Sequence, residues 1–191
     1  MKKKTISGVF WSSINTGFTQ ASGFIVGIIL ARQLGPNAFG LIASISILIG
    51  TIHVISESGL GQALIQNNRA TQIDYSTAFF FNILLSSTFY MILFILSPTI
   101  ANFYNKPILE YLIKVIGVTV IIQTLSINQH VKLSKEINFK LKAKISIPTT
   151  IFTGMISVWM VYNEFGIWSY VNQLILNPAL ITILLWINVK W

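Results

Sequence analysis

Residues 38–66 read AFGLIASISILIGTIHVISESGLGQALIQ. From Ala38 to Ile52 no residue carries a charge, and between Ala38 and Ile65 the ionisable groups are His53 and Glu57 alone. A helix needs about 20 apolar residues to cross a bilayer, and this run exceeds that. It reads as a membrane span over 38–65, and five more runs of the same kind flank it: 8–31, 75–97, 108–131, 145–163 and 166–188. The expectation is an all-α membrane protein with six transmembrane helices. The connectors are short and carry the turn formers, as in QLGPN, SPTIANFYNKP and YNEFG.

Composition agrees with that reading. The chain is 53% hydrophobic and 9% charged, against about 25% charged in soluble domains, and its mean hydropathy is +0.71. The net charge of +8 sits in connectors between apolar blocks. Such placement suits anionic lipid head groups rather than nucleic acid. There is no cysteine, hence no disulfide framework, thiolate nucleophile or cysteine metal site. The N-terminus, MKKKTISGVFWSS, has the basic start of a signal peptide. Asn15, Thr16, Thr19 and Gln20 interrupt any compact apolar core, so it reads as an uncleaved first span.

Six alternating spans put Lys2, Lys3, Lys4, Arg69, Lys132, Lys135, Lys140, Lys142, Lys144 and Lys190 on one side. Arg32 and Lys106 fall on the other, and Lys114 within a span. The excess marks the cytoplasmic side, so both termini are expected in the cytoplasm. Residues 132–144, KLSKEINFKLKAK, read as a basic cytoplasmic loop. It is a topology anchor first and a lipid or partner site second.

Residues four apart share a helix face. Asn15, Thr19, Gly23 and Gly27 form one stripe; Ala78, Asn82, Ser86 and Tyr90 form another; Gln173 and Asn177 align just before Pro178, and Pro148 lies near the start of the fifth span. Small and hydroxyl residues serve close helix packing in lipid, as in GFIVG at 23–27. Repeated on several spans, they also suit a hydrated interior lined by amides and hydroxyls. Glu57, with His53 one turn before it, is a candidate for proton relay or ion coupling. The competing reading is a helix loosened at SESGLG by two glycines, with Glu57 reaching the wet interface. Glu110 stands four residues before Lys114, the favourable order for an ion pair; Lys114 is otherwise a cation facing a cavity. His130 sits at the inner end of its span and reads as interfacial. No phosphate loop, paired acidic motif or histidine cluster with metal spacing is present. Five acidic residues leave little for acid–base catalysis, so neither an enzyme, a metal nor a cofactor is expected.

As an ordered set, several segments resemble the Wzx-like polysaccharide and lipopolysaccharide flippases. ARQLGPNAFGLIA (31–43) looks like their loop joining the first two spans. SESGLGQALIQ (56–66) looks like the following motif, in which an acidic residue precedes Gly-Leu-Gly. DYSTAFFFNILLS (74–86), SPTIANFYNKPIL (97–109), INFKLKAKI (137–145) and GIWSYVNQLI (166–175) match in order. The branch most alike exports colanic-acid or teichuronic-acid precursors. The resemblance implies the fold of the multidrug/oligosaccharidyl-lipid/polysaccharide exporter superfamily, two lobes around a central cavity with alternating access. It implies movement of a polyprenyl-pyrophosphate-linked oligosaccharide across the bacterial cytoplasmic membrane, driven by an ion or the membrane potential. Arg32, Gly35, Pro36, Phe39 and Gly40 match the first motif and Glu57, Gly59, Leu60 and Gly61 the second; both sets read as mainly structural. The candidates for a substrate pathway are His53, Glu57, Asn15, Asn82, Lys114 and Gln173. Family members carry a second lobe. This chain resembles an N-terminal half, expected to be a fragment of a longer protein or to pair with another chain. A drug/cation antiporter of the same superfamily and a membrane enzyme of glycan assembly are the alternatives. The latter needs catalytic Arg, His or Asp residues in sizeable external loops, which are short here.

Overall fold

A computed structural model describes residues 2–56, 59–67 and 69–190, with side chains from residue 6 to residue 52 in the first of these segments. Among the described residues all regular structure is helical: α1 Lys2–Ser56, α2 Leu60–Gln66, α3 Gln72–Phe103, α4 Ile108–Thr124, α5 Ile127–Lys135, α6 Phe139–Tyr162 and α7 Trp168–Asn188. Four of these helices are long and apolar enough to cross a membrane, and a fifth span arises if the bent pair α4–α5 counts as one. The chain is a multi-pass helical membrane protein.

α1 has 55 residues, about 82 Å of helix, far more than the roughly 30 Å of a bilayer core. The helix is interrupted at Gly35, whose φ of 74° and ψ of 168° are not helical. The glycine enters positive φ without steric cost. Pro36, with no N–H to leave orphaned, opens the next stretch. The two arms run in opposite directions past their neighbours. Along the first arm Gly8 lies against Ile137 and Phe139, Ser146 Oγ donates to Asn15 Oδ1, and Val26 meets Gly154. This arm therefore runs parallel to α6. On the second arm Phe39 stacks near Tyr170 at 6.1 Å, and Ile45 and Ile49 enter the core with α4. Gly61, just beyond it, meets Ile127 and Val131.

Two expected spans are not continuous. The 38–65 run breaks at Gly59, which is left-handed at φ 70°, and α2 follows as a separate short helix. Of the two glycines of SESGLG, Gly59 interrupts the helix while Gly61 lies within α2; Glu57 and Ser58 lie outside the described residues. The 108–131 run bends by 42° between α4 and α5. No Pro or Gly marks that place in the sequence. The bend persists because α7 supplies partners for carbonyls near it. Thr182 Oγ1 donates to Ile122 O at 3.1 Å and Trp186 Nε1 to Leu125 O at 2.9 Å. Ser126 Oγ donates to Gln123 O at 3.0 Å. Non-helical backbone at membrane depth is tolerated where protein satisfies it in this way.

Residues 132–144 are also not a loop. They span the end of α5 and the start of α6, joined by residues 136–138, with Ile137 at φ 55°. Two of the lysines hold helix ends. Lys135 Nζ donates to Asn67 O at 2.6 Å and to Leu64 O at 3.4 Å, at the C-terminus of α2. Lys132 Nζ donates to Lys190 O at 2.5 Å, just past α7. Cations at helix C-termini also oppose the macrodipole. These contacts gather the second-motif segment, α5 and the end of α7 at one end of the bundle.

The main apolar core joins the second arm of α1 to α3, α4 and α7 through Ile45, Leu93, Leu112, Ile116, Val120 and Val171. Gly117 brings α4 close to α3: a Cβ there would lie 3.0 Å from the Tyr90 ring, whose hydroxyl donates to Lys114 O at 3.2 Å.

Candidate functional site

α6 buries hydroxyls rather than hydrocarbon along one face. Thr149, Thr153 and Ser157 each donate to the carbonyl four residues back, at 2.7, 2.9 and 3.0 Å, and Ser146 Oγ lies 2.9 Å from the Lys142 carbonyl. Those bonds satisfy the donors inside the helix and leave small side chains for a neighbour to approach. α7 answers with amides. Asn177 Nδ2 donates to Thr150 Oγ1 at 3.3 Å and to Thr153 Oγ1 at 3.1 Å.

A cavity of about 670 Å³ opens between these two helices, the first arm of α1 and the α4–α5 bend. Its wall follows α7 from Tyr170 to Leu185, about 22 Å of helix. Thr19 and Gly23 come from α1, Gln123 and His130 from the two sides of the bend, and Lys142, Ser146 and Thr150 from one stripe of α6. Among the described lining residues Lys142 is the one that carries a formal charge at neutral pH. Gln173 also lines the wall. Its Oε1 is buried with no hydrogen-bond partner among the described residues.

The candidates read from the sequence divide accordingly. Gln173 lines the cavity, and Asn15 adjoins it through Ser146. Asn82 is buried on α3 at 1% exposure and does not line the cavity. Lys114 pairs with Glu110 at 2.6 Å and sits 4.7 Å from the centre of the Phe94 ring, also away from the cavity. His130, expected at the interface, is part of the cavity wall. His53 and Glu57 lie outside the described side chains. Of the motif residues, Gly35 makes the turn in α1 and Gly59 the break before α2, while Gly61 packs on α5. Arg32, Pro36 and Gly40 are exposed near that turn.

Lys142 and the α6 hydroxyls were not singled out in the sequence reading as a site. Lys142 falls in the basic connector of the sequence reading, which names neither Ser146 nor Thr150. Their signal was present: Lys142, Ser146 and Thr150 fall at intervals of four.

The fold defines a multi-pass helical membrane protein with a cavity into which hydroxyl and amide side chains project among apolar ones. Residues 29–191 match the family described as Polysaccharide biosynthesis protein, and the chain belongs to that family. It is similar to the lipopolysaccharide biosynthesis protein WzxC of Escherichia coli (strain K12), 28% identical over 122 residues that cover 64% of this chain and 25% of WzxC. It is similar to the teichuronic acid biosynthesis protein TuaB of Bacillus subtilis (strain 168), 26% identical over 184 residues, 96% of this chain and 38% of TuaB. It is also similar to the succinoglycan biosynthesis transport protein ExoT of Rhizobium meliloti (strain 1021), 25% identical over 175 residues, 91% of this chain and 35% of ExoT. The chain thus spans well under half the length of these curated relatives. No solved structure matches it.

Proposed function

We propose that this chain is the N-terminal, six-span lobe of a flippase that moves a polyprenyl-pyrophosphate-linked oligosaccharide across the bacterial cytoplasmic membrane for surface polysaccharide assembly. The observation that carries the reading is the cavity: hydroxyls and amides of α1, α6, α7 and the α4–α5 bend converge on it, with Lys142 at one end, fit for a hydroxyl-rich cargo with an anionic group. Family membership and the names of the relatives support the polysaccharide branch. Six spans follow if Gly35 turns the chain at the membrane surface and α4–α5 crosses as one broken span. With that count the lysines of the α5–α6 end lie in the cytoplasm, as do both termini, and a second lobe completes the cavity.

The test is made in the full-length protein. Lys142→Gln removes a charge-assisted contact to the cargo and lowers export about tenfold or more, with lipid-linked precursor accumulating in the inner leaflet. Lys140→Gln and Lys144→Gln, exposed on the same helix, leave export unchanged. Normal export by Lys142→Gln at equal protein level sinks the reading.

A further inference from the structure

The exposed residues of α6 share one face, turned away from the cavity. Residues 142, 146 and 150 line the cavity. Lys140 and Lys144 are exposed and lie on the opposite side of the helix. The same face continues through Pro148, Phe152 and Met155 to Trp159, all exposed. None of these before the Trp159 indole has a side-chain hydrogen-bonding group. A second helix needs small residues for close approach in lipid, and this face has none. The exposed side of the first arm of α1 differs, since Gly17 and Gly23 there leave open space. The α6 face suits acyl chains rather than a further helix.

Its length fits a bilayer. Trp159 stands nineteen positions after Lys140, about 28 Å of helix, against a hydrocarbon core of about 30 Å. Tryptophan favours the interface, so with Trp159 at one interface Lys140 reaches the other. Lys144 lies about 6 Å deeper. An unpaired ammonium is costly there, and its long stem carries it up to head-group level. Among the described residues Lys144 has no hydrogen bond or ion pair. Lys140 Nζ lies 5.8 Å from the centre of the Trp11 ring, close to the outer limit of about 6 Å for such a contact. A ring face leaves N–H donors of the ammonium open to an oxygen acceptor. Glu136, the acid nearest in sequence, is exposed and pairs with neither lysine. Further positive charge collects at this end. Gly8 meets Ile137 and Phe139, which brings the first turn of α1, with Lys2, Lys3 and Lys4 in its sequence, near the start of α6.

Two cations one turn apart, above a strip of exposed hydrocarbon, match a phospholipid with a net negative head group. We infer that α6 carries a site for an anionic phospholipid of the surrounding bilayer, with the phosphate between Lys140 and Lys144 and an acyl chain along Pro148, Phe152 and Met155. Trp11 closes one side of the head-group end. The site lies across α6 from the cavity, so it stands or falls independently of the transport reading.

The test uses delipidated full-length protein in detergent, titrated with dioleoyl phosphatidylglycerol or dioleoyl phosphatidylcholine and read by native mass spectrometry. One phosphatidylglycerol binds more tightly than phosphatidylcholine does. Lys140→Gln and Lys144→Gln each weaken that binding about fivefold, the worth of one basic residue at a charged bilayer surface, and the double change weakens it about 25-fold. The double variant Lys140→Arg, Lys144→Arg keeps the charge and stays within about twofold of wild type, which separates loss of charge from loss of fold. Lys190 is exposed at the same end of the bundle, where its carbonyl accepts from Lys132. Lys190→Gln also stays within about twofold. Glycerol 1-phosphate, a head group without chains, does not displace the lipid. Equal affinity for the two lipids overturns the site, as do equal losses from Lys190→Gln and Lys144→Gln. Displacement by glycerol 1-phosphate overturns the lipid and leaves a phosphate site in its place.

Discussion

The two faces of α7 look into two different interiors. Val171 and Ile175 lie in the apolar cluster with Ile113, Ile116 and Val120 of α4. Gln173, Asn177 and Thr182 belong to the cavity wall and its hydroxyl partners on α6 and at the α4–α5 bend. In lipid the first interior gains little from excluding water, because its surroundings are as apolar as itself. It is held by shape, and shape tolerates few alternatives. The second is held by donors and acceptors that have more than one choice. Thr153 Oγ1 lies within reach of both Thr149 O, at 2.9 Å, and Thr150 O, at 3.3 Å. A lobe that changes conformation is expected to rearrange on the polar face and to move as a unit on the apolar one.

The sharpest way to break that distinction is Ile116→Ala. The residue is 2% exposed, and the void left costs about 2–5 kcal/mol, read as lost stability on denaturation of the reconstituted protein. Ile187→Ala, at a site 69% exposed, stays within about 0.5 kcal/mol. Equal effects at the two sites mean the apolar face is not shape-held. Next in size is Gly117→Val. Its side chain meets the Tyr90 ring, and overpacking of this kind costs about 1–3 kcal/mol. Combining it with Tyr90→Ala costs less than the sum of the two single changes, and simple additivity would remove the Gly117–Tyr90 contact from the account. The smallest effect is expected on the polar face. Asn177→Ala loses two interhelical bonds, worth about 0.6 kcal/mol on average and up to about 1.7 in a membrane. A loss as large as that of Ile116→Ala, seen in the same denaturation, makes the polar face as rigid as the apolar one.

Much of the helical architecture was legible. Apolar runs long enough to span lipid cannot be left as open chain there, since every backbone group must be satisfied internally, and so helices appear at each of the predicted runs. The Gly35–Pro36 turn was readable because only those residue types do what the backbone needs there. The interruption at Gly59 was readable as one of two alternatives. The α4–α5 bend was not: LSIN (125–128) carries no breaker, and the partners that stabilise the bend, Thr182 and Trp186, lie some 60 residues on.

The site was legible in outline only. The stripes on spans one and six did lead to Asn15 and Gln173, at or beside the cavity. An equally polar stripe on span three buries Asn82 and Ser86 away from the cavity, because a period of four says which residues share a face and not what that face meets. Lys142 shows the same limit in reverse. Position along the chain made it one basic residue among several at the cytoplasmic end. The stripe it shares with Ser146 and Thr150 became a wall only when α7 and the first arm of α1 closed around it.

By itself, the sequence determined that the chain is a helical membrane protein, where its apolar runs fall and which end collects the positive charge. Those are properties of local composition against a bilayer of fixed thickness. The tertiary structure decided which polar stripe faces a void, which lysines cap helices and which one lines a cavity. In lipid, polar groups can be satisfied in many ways, and only the positions of the neighbouring helices select among them.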